Sequence, residues 1–281
     1  MPTAVVEWSQ VTGGSSGIGA GLCENLLSSG WKVCLLARSR DKMEKLAARY
    51  PAELSFVQVC DLSKVNQIEP ACRKIMKWCN GRLNLLVNNA GMGKIDCTTE
   101  STSMEDFQLQ ITVNLTAVFA LTKYLLPALK QEAKFSRNIG DSHGATVIHI
   151  GSIASFAAFP KLTPYCVAKA GVAHLTRIQS MEFAPHQIRV NCIQPATVIT
   201  DWHNRAGMGK EKAARYYTNS HSAHPIGRSG TVEDIVQMTN FLADKRKSGW
   251  ITGQCLTMDG GRMLKASLPS TKAQDGLRSK L

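Results

Sequence analysis

Strand-like apolar runs alternate with longer amphipathic segments along most of this 281-residue chain. Runs that are apolar on both faces and separated by helix-length segments indicate a parallel sheet covered by helices on both sides. The sequence therefore predicts a doubly wound α/β fold in a single domain, with ligands at the carboxyl ends of the strands. The predicted strands are "KVCLLA" (32–37), "LSFVQVC" (54–60), "LNLLVNNAG" (83–91), "ATVIHIGS" (145–152), "IRVNCIQP" (188–195) and "QCLTMDGG" (254–261).

The predicted helices lie between these runs, and three irregular segments interrupt the alternation. Residues 135–144 are predicted to be a polar loop, 201–230 a lid that is helical in its middle, and 262–281 a flexible polar tail after a domain of residues 1–261. The helices are predicted at 18–30, 41–50, 67–79, 104–133, 165–184 and 232–244.

The composition argues against several classes of protein. No run of about 18 apolar residues suggests a membrane span, and the first residues lack the pattern of a secretory signal. The nine cysteines form no C-x-x-C pair, which indicates a reduced intracellular compartment, and the seven histidines have no metal-ligand spacing. The net charge of +12 is spread along the chain without a nucleic-acid motif, so we expect no nucleic-acid partner.

Two short motifs suggest chemistry. In "VTGGSSGIG" (11–19), glycines 13, 17 and 19 precede a predicted helix, and this arrangement lets backbone approach a diphosphate at the helix N-terminus. In "YCVAKAG" (165–171), Tyr165 and Lys169 share one helix face. Taken alone, the second motif is a weak signal and favours a packed tyrosine and a lysine whose ammonium reaches water.

Together these motifs resemble the short-chain dehydrogenase/reductase family over residues 11–261. The T-G-x-x-x-G-x-G turn is followed in order by "NNAG" (88–91), Asn114, Ser152 thirteen residues before Tyr165, "NCIQPATVIT" (191–200) and "ITGQCLTMDGG" (251–261). The resemblance implies a Rossmann-type oxidoreductase. The chain departs from the family pattern in its first strand, where Glu7, Ser9 and Gln10 replace apolar residues, and at Ala196, where glycine is usual.

The resemblance also implies the roles of four catalytic residues. Tyr165 would exchange the proton, Ser152 would hydrogen-bond the substrate carbonyl, Lys169 would hold the ribose, and Asn114 would position a relay water. A tyrosine base near neutral pH needs its pKa lowered by roughly 3 units, or about 4 kcal/mol. An ammonium about 5 Å away would supply on the order of 3 kcal/mol. Singly, Ser152 could instead cap a loop, and Asn114 could bond neighbouring backbone.

The end of the second strand predicts the cofactor. Enzymes of this type that use NAD usually have an acidic residue there, whereas this chain has Ala37 and then Arg38, which favours the 2′-phosphate of NADP(H). Arg40 is interpreted as a surface charge, and Asp61 resembles the family residue beside the adenine. The cofactor-binding residues implied are Thr12, Gly13, Ser15, Ser16, Gly17, Ile18, Gly19, Arg38, Asp61, Leu62, Asn89, Ala90, Gly91, Tyr165, Lys169, Pro195, Val198 and Thr200.

The function predicted is reduction of a carbonyl, or oxidation of the alcohol, with NADPH. The substrate is open: a 3-oxoacyl-CoA or another lipid carbonyl is one candidate, and the basic lid residues His203, Arg205, Lys210, Lys212 and Arg215 could meet a phosphate or simply face water. The alternatives are reduction of the C=C bond of an enoyl-CoA and a non-catalytic NADPH-binding module.

Assembly and location complete the expectations. Apolar outer faces on the 104–134 and 165–184 helices, including Phe119 and Leu175, predict a homodimer or homotetramer. The terminal Ser279-Lys280-Leu281 matches the tripeptide read by the peroxisomal import receptor. The predicted location is therefore a peroxisome or a glycosome-type relative.

Overall fold

Seven parallel strands form one sheet in the computed structural model, which describes residues 7–139 and 144–264. The strand order is β3-β2-β1-β4-β5-β6-β7, so the order reverses between β1 and β4, and a ligand crevice opens at such a reversal. The doubly wound α/β prediction is confirmed. The strands are β1 Trp8–Thr12, β2 Lys32–Ala37, β3 Ser55–Val59, β4 Leu85–Asn88, β5 Thr146–Ile150, β6 Arg189–Pro195 and β7 Cys255–Met258.

Helices cover both faces of the sheet. Alternate strand residues divide between two cores: Val33 and Leu35 of β2 pack with the helices that begin at residues 17 and 232, whereas Cys34 and Leu36 pack with those that begin at 65 and 117. The helices are α1 Gly17–Ser28, α2 Arg40–Ala47, α3 Val65–Trp78, α4 Met104–Ile111, α5 Ala117–Asn138, α6 Thr163–Phe183, α7 Lys210–Ser220, α8 Val232–Ala243 and α9 Lys245–Ser248.

The first strand forms despite its polar sequence. All five residues of β1 are buried, and β1 pairs with β2 on one side and β4 on the other. The Gln10 side chain is completely buried, and neither of its polar side-chain atoms has a partner among the described residues. Pairing on both sides of the central strand therefore outweighs the cost of burying this amide.

The loop predicted at 135–144 is wrong for its first four residues, because α5 continues to Asn138. Ser136 is buried and donates to Glu132 one turn earlier, and the Arg82 guanidinium lies 3.7 Å from the centroid of the Phe135 ring. These contacts extend the helix through a segment whose sequence is polar.

The helical segment Met104–Asn138 is long and apolar enough to pass a test for a membrane span, by length and composition only. In this fold 44% of its apolar 18-residue stretch is buried, and α5 packs on α3. We interpret it as the core helix of the domain.

The outer face of α5 and α6 differs in detail from the expectation. Phe119 is 49% exposed, as expected, but Leu175 is partly buried against Val118 and Val172. Ile178 and Met181 are exposed on α6 instead.

The described chain continues past the predicted domain boundary at 261. Residues Arg262–Leu264 form a single 3₁₀ turn, and Arg262 donates to the Thr197 hydroxyl. The terminal tripeptide Ser279-Lys280-Leu281 and most of the predicted tail lie outside the described residues.

Candidate active site

A cavity of about 570 Å³ opens at the carboxyl ends of the strands. Its wall brings together residues from most of the motifs, but none from Asn114 or from the segment 251–261. From the predicted set, the residues that line it are Gly13, Ser15, Ser16, Gly17, Ile18, Arg38, Asp61, Leu62, Asn89, Ala90, Gly91, Ser152, Tyr165, Lys169, Pro195, Val198 and Thr200.

The glycine-rich turn forms one end of the cavity. Gly13 has φ +72°, and a Cβ there would lie 2.8 Å from the Asn89 amide nitrogen, so a larger residue does not fit. Helix α1 begins at Gly17; its N-cap residue Ser16 makes no side-chain capping bond, and its first turn has no acidic residue. The N–H groups of this turn are therefore suited to an anion such as a diphosphate. The turn fits a dinucleotide cofactor.

Two of the predicted cofactor residues, Thr12 and Gly19, do not line the cavity. The Thr12 hydroxyl accepts from the backbone N–H groups of Asn89 and Ala90, both at 2.8 Å, and so fixes the loop after β4. A Cβ on Gly19 would lie 2.3 Å from the Gly13 carbonyl oxygen. Both residues therefore shape the turn from behind it and do not face a ligand.

Arg38 lies at the cavity wall after β2, together with Lys42, which the sequence did not single out. Desolvation opposes ionisation of the nearby Asp61, but hydrogen bonds from Ser63 and the Arg38 charge lower its pKa overall. Arg40, in contrast, is exposed and paired with Glu44 at 3.0 Å. The two neighbouring arginines are thus in different environments, and only Arg38 faces the cavity.

Ser152 and Tyr165 are in contact. Ser152 follows β5 and begins a 3₁₀ turn, where its Oγ accepts from the Ala154 N–H at 3.1 Å. The loop-capping alternative is therefore observed, but it uses only the oxygen. The hydroxyl proton remains available, and a hydrogen bond with Ser152 acts to lower the Tyr165 pKa.

Lys169 is buried one helical turn after Tyr165. Its ammonium donates to the Ile150 carbonyl oxygen at 2.7 Å, and it lies 5.7 Å from the centroid of the Tyr165 ring. Burial lowers its pKa to about 8. The side chain is 4% exposed, so the alternative of a lysine that reaches water is excluded.

The pKa of Tyr165 differs from the sequence-based expectation in direction. Burial raises it to about 12, and the Ser152 hydrogen bond offsets only part of this effect. The Lys169 ammonium is directed to a backbone carbonyl, and its own burial disfavours the charge that would stabilise a tyrosinate. Without a further positive charge, Tyr165 stays protonated near neutral pH.

Asn114 lies behind the cavity wall, in a π-helical turn (Thr112–Thr116) between α4 and α5. Its amide donates to the carbonyl oxygens of Met92 and Gln110, and its Oδ1 accepts from the Met92 N–H at 3.0 Å. The backbone-bonding alternative is therefore observed. A Cβ on Gly91 would lie 3.0 Å from Asn114 Oδ1 and 3.6 Å from Lys169 Nζ, so Asn114 and Lys169 border the same residue.

The segment after β6 closes the other end of the cavity with aromatic side chains. The ring centroids of Tyr165 and Trp202 are 5.3 Å apart, those of Trp202 and His203 are 4.9 Å apart, and those of His203 and Tyr216 are 4.3 Å apart. Sequence reasoning missed Trp202 and Tyr216 as cavity residues, because aromatic residues in an irregular segment have no periodic pattern.

The same segment also contacts the glycine-rich turn. Arg205 donates to the Ser16 hydroxyl at 2.9 Å, and the backbone N–H of Ile95 donates to the Ala206 carbonyl. Of the basic residues noted in this segment, His203 and Arg205 line the cavity, whereas Lys210, Lys212 and Arg215 are exposed outside its lining. Within residues 7–139 and 144–264, no group of three or more His, Cys, Asp or Glu side chains could hold a metal ion.

Comparisons with known proteins agree with this geometry. A family model described as enoyl-(acyl carrier protein) reductase matches residues 13–262. Carbonyl reductase family member 4 of Danio rerio is 32% identical over 254 residues, which is 90% of this chain and 97% of that protein. A 3-oxoacyl-[acyl-carrier-protein] reductase of Chlamydia pneumoniae is 29% identical over 254 residues, covering 89% of this chain and 94% of the relative.

Solved structures give the same result. A short-chain dehydrogenase/reductase of unknown function from Caenorhabditis elegans, solved with cofactor, has a TM-score of 0.84 and 27% identity and covers 93% of this chain and 96% of its own. The 3-ketoacyl-(acyl-carrier-protein) reductase of Brucella melitensis, complexed with NADH, has a TM-score of 0.79 and 25% identity over 91% of this chain and 98% of its own. The ordered motifs, the cavity and these matches agree: the chain belongs to the short-chain dehydrogenase/reductase family of oxidoreductases, whose members bind nicotinamide cofactors.

Proposed function

We propose that this oxidoreductase reduces carbonyl compounds with NADPH. The observation that carries the proposal is the Tyr165 hydroxyl, in contact with Ser152 and held protonated by burial, with Lys169 one turn away. A carbonyl reduction consumes a proton, so a tyrosine whose pKa is about 12 is in the correct state to donate one.

The cofactor would supply the hydride to the carbonyl carbon. The other tasks belong to residues of this chain. The Ser152 hydroxyl, whose oxygen is already held by the Ala154 N–H, donates its proton to the substrate oxygen, and Tyr165 transfers its proton to that oxygen. Lys169 lines the same cavity one helical turn from Tyr165 and would hold the ribose hydroxyls of the cofactor. Both amide protons of Asn114 are bonded to the Met92 and Gln110 carbonyl oxygens, so its Oδ1, which lies on the Gly91 side towards Lys169, is the atom that would hold a relay water.

The choice of NADPH over NADH depends on the cavity wall after β2. Arg38 and Lys42 line this wall, and the acidic residue that would hold a ribose 2′-hydroxyl is replaced by Ala37. A guanidinium binds a phosphate through two parallel hydrogen bonds. Arg38 makes no ion pair with another described residue, so its guanidinium N–H groups are available for a 2′-phosphate.

Reduction of a C=C bond is the second candidate, because the matching family model is described as enoyl-(acyl carrier protein) reductase. The Ser152–Tyr165 contact favours the carbonyl reaction, since a hydroxyl beside the proton donor stabilises a developing oxyanion. The third candidate, a binding module without catalysis, gives no reason for Ser152, Tyr165 and Lys169 to meet at one cavity.

NADPH oxidation across a panel of carbonyl compounds tests the proposal. The panel contains 3-oxoacyl-CoA thioesters, steroids, sugars and quinones, with an enoyl-CoA as the C=C arm. Tyr165→Phe is expected to remove most turnover while NADPH binding, followed by fluorescence, is nearly unchanged. Turnover of Tyr165→Phe near that of the unmutated protein would refute the mechanism. Turnover of the enoyl-CoA alone would establish the second candidate.

The tail and the exposed helices support two further parts of the proposal. Ser279-Lys280-Leu281 has the form of a peroxisomal address, and import by its receptor would place the enzyme where acyl-CoA carbonyls are processed. A lipid or 3-oxoacyl-CoA substrate is therefore our preferred class. Phe119, Ile178 and Met181 expose apolar surface on α5 and α6, which supports a homodimer or homotetramer.

A further inference from the structure

The cavity ends, beyond Tyr165 and Trp202, in a corner that the motifs did not reveal. We call it the Arg262 corner and define it by Phe159, Thr197, Tyr216 and Arg262, all of which line the cavity. These residues come from four separate segments of the chain. The corner lies on the substrate side of the cavity, since Arg38 and the glycine-rich turn occupy the cofactor side.

Arg262 brings an uncompensated charge into this corner. Its guanidinium donates to Thr197 Oγ1 at 2.8 Å and lies 5.7 Å from the centroid of the Phe159 ring. No carboxylate of residues 7–139 or 144–264 lies within ion-pair distance of it. A guanidinium has five N–H donors, so its bond to Thr197 leaves most of them for a ligand.

A second donor is directed to the same corner. Because arginine can only donate, Thr197 Oγ1 accepts the hydrogen bond from Arg262. The Thr197 hydroxyl can in turn donate a hydrogen bond to the Tyr216 hydroxyl oxygen, 3.2 Å away. The Tyr216 O–H is then left without an acceptor among the described residues. A guanidinium and a phenol hydroxyl that both have protons to donate form a binding site for an oxyanion.

The electrostatics of the cavity point in the same direction. Among the described residues, Asp61 is the one acidic residue in the cavity lining, and it lies at the cofactor end beside Arg38. Aromatic rings bound the Arg262 corner and partly shield its charge from solvent. Burial lowers the pKa of His203 to about 4, and the Arg262 charge adds to this effect, so Arg262 is the cation at this end.

We infer that the carbonyl substrate carries an anionic group, a carboxylate or a phosphate, and that Arg262 and Tyr216 bind it. This inference rests on the proposed carbonyl reduction and adds the substrate class. The Trp202, His203 and Tyr216 rings form a continuous wall between Tyr165 and the corner, with successive centroids 4.3–5.3 Å apart. The carbonyl and the anion must therefore be separated by an apolar chain that follows this wall.

Matched pairs of substrates test the inference. Straight-chain oxo acids of increasing length are compared with their methyl esters, and a phosphorylated ketone with its free alcohol, by kcat/KM with NADPH. We expect the acid to be preferred over its ester at one best length. Arg262→Gln should lower that preference by about 10- to 150-fold, mainly through KM, because a charge-assisted hydrogen bond is lost. Tyr216→Phe keeps the ring and should lower it less.

Arg215→Gln is the matched control, since Arg215 is exposed on α7 and does not line the cavity. It should leave the acid preference unchanged. Equal losses for acid and ester in Arg262→Gln, or no preference for any anion in the unmutated protein, would overturn the inference. A preference confined to the phosphorylated ketone or to the acids identifies the anion.

Tyr165→Phe, measured in parallel, separates the two proposals. If ester turnover survives in Tyr165→Phe, the proposed function fails, and the inference is then decided by calorimetric binding of the acids to the protein and to Arg262→Gln. If ester turnover depends on Tyr165 but acids have no advantage, the proposed function stands and the inference fails.

Discussion

The buried charge of Lys169 should make the protein less stable than it would be without it. Lys169 is 4% exposed, and burial lowers its pKa from 10.5 to about 8. This difference corresponds to about 3 kcal/mol by which the fold disfavours the charged side chain. Methionine has a similar length and no charge. We therefore expect Lys169→Met to lose turnover and yet to be at least as stable as the unmutated protein near neutral pH.

The lost hydrogen bond to the Ile150 carbonyl reduces this gain. A hydrogen bond to a charged group contributes about 1.5–3 kcal/mol, so the net gain in the free energy of unfolding is about 0–2 kcal/mol. The two opposing effects are of similar size, so the net gain is small. The pH dependence decides the matter, because the charge penalty falls as the folded Lys169 loses its proton, whereas methionine does not titrate.

The sign of the pH dependence follows from the two pKa values. Below about pH 8 both the folded and the unfolded lysine are charged, and the penalty is complete. Between about pH 8 and 10.5 only the unfolded lysine holds its proton, so the unmutated protein gains stability as the pH rises. The penalty falls from about 3 kcal/mol near pH 7 to about 1 kcal/mol near pH 9.5. The advantage of Lys169→Met should shrink by about 2 kcal/mol over this range.

Urea unfolding without cofactor, followed by circular dichroism at both pH values, measures the effect. Lys134→Met is the matched control, because Lys134 is exposed on α5. Tyr165 should contribute equally to the pH dependence of stability in Lys169→Met and in the unmutated protein, since Lys169 is not among the groups that shift the Tyr165 pKa. A stability difference between Lys169→Met and the unmutated protein that stays constant from pH 7 to 9.5 would refute the reasoning.

Three further predictions concern the cofactor, the assembly and the location. Arg38→Ala should weaken NADPH binding by about 10- to 150-fold and leave NADH binding nearly unchanged. The control Arg40→Ala should change the binding of neither cofactor. Tighter binding of NADH than of NADPH by the unmutated protein would contradict the prediction. Light scattering at micromolar concentration should give a dimer or tetramer, and Phe119→Asp should shift it toward smaller species, so a monomeric unmutated protein would refute the interface. Deleting Ser279 to Leu281 should leave turnover intact and move the protein to the cytosol; punctate localisation of the truncated protein would exclude the address.

The fold was predictable because its signals are local and repeated. The six predicted strands are short apolar runs and the predicted helices are periodic segments, so the parallel sheet follows from this pattern. The differences arise where tertiary contacts outweigh composition. β1 forms through pairing with two neighbours although Gln10 is polar, and α5 continues to Asn138 because Ser136 and Phe135 find partners from other turns and elements.

The catalytic residues were predictable for a similar reason. The Tyr165–Lys169 spacing and the clustered glycines are fixed by helix and turn geometry, so their juxtaposition can be derived from the numbering. The pKa of Tyr165 was not predictable, because a Coulomb argument assumes that the ammonium is directed at the hydroxyl. In the structure Lys169 donates to Ile150 instead, and burial decides the direction.

The substrate end shows why the remaining part of the site needed a structure. Phe159, Thr197, Tyr216 and Arg262 are far apart in sequence, and none has a neighbour whose spacing marks it as a ligand. Arg262 directly follows the glycine pair of the last family motif, at the residue where the sequence predicts a tail. Its meaning depends on the contact with Thr197 and on the absence of a carboxylate partner within residues 7–139 and 144–264. Whether an arginine has an ion-pair partner depends on its surroundings and not on the residue itself. The sequence shows that Arg215 and Arg262 are both basic, and only the fold shows that Arg262 lines the cavity and Arg215 does not.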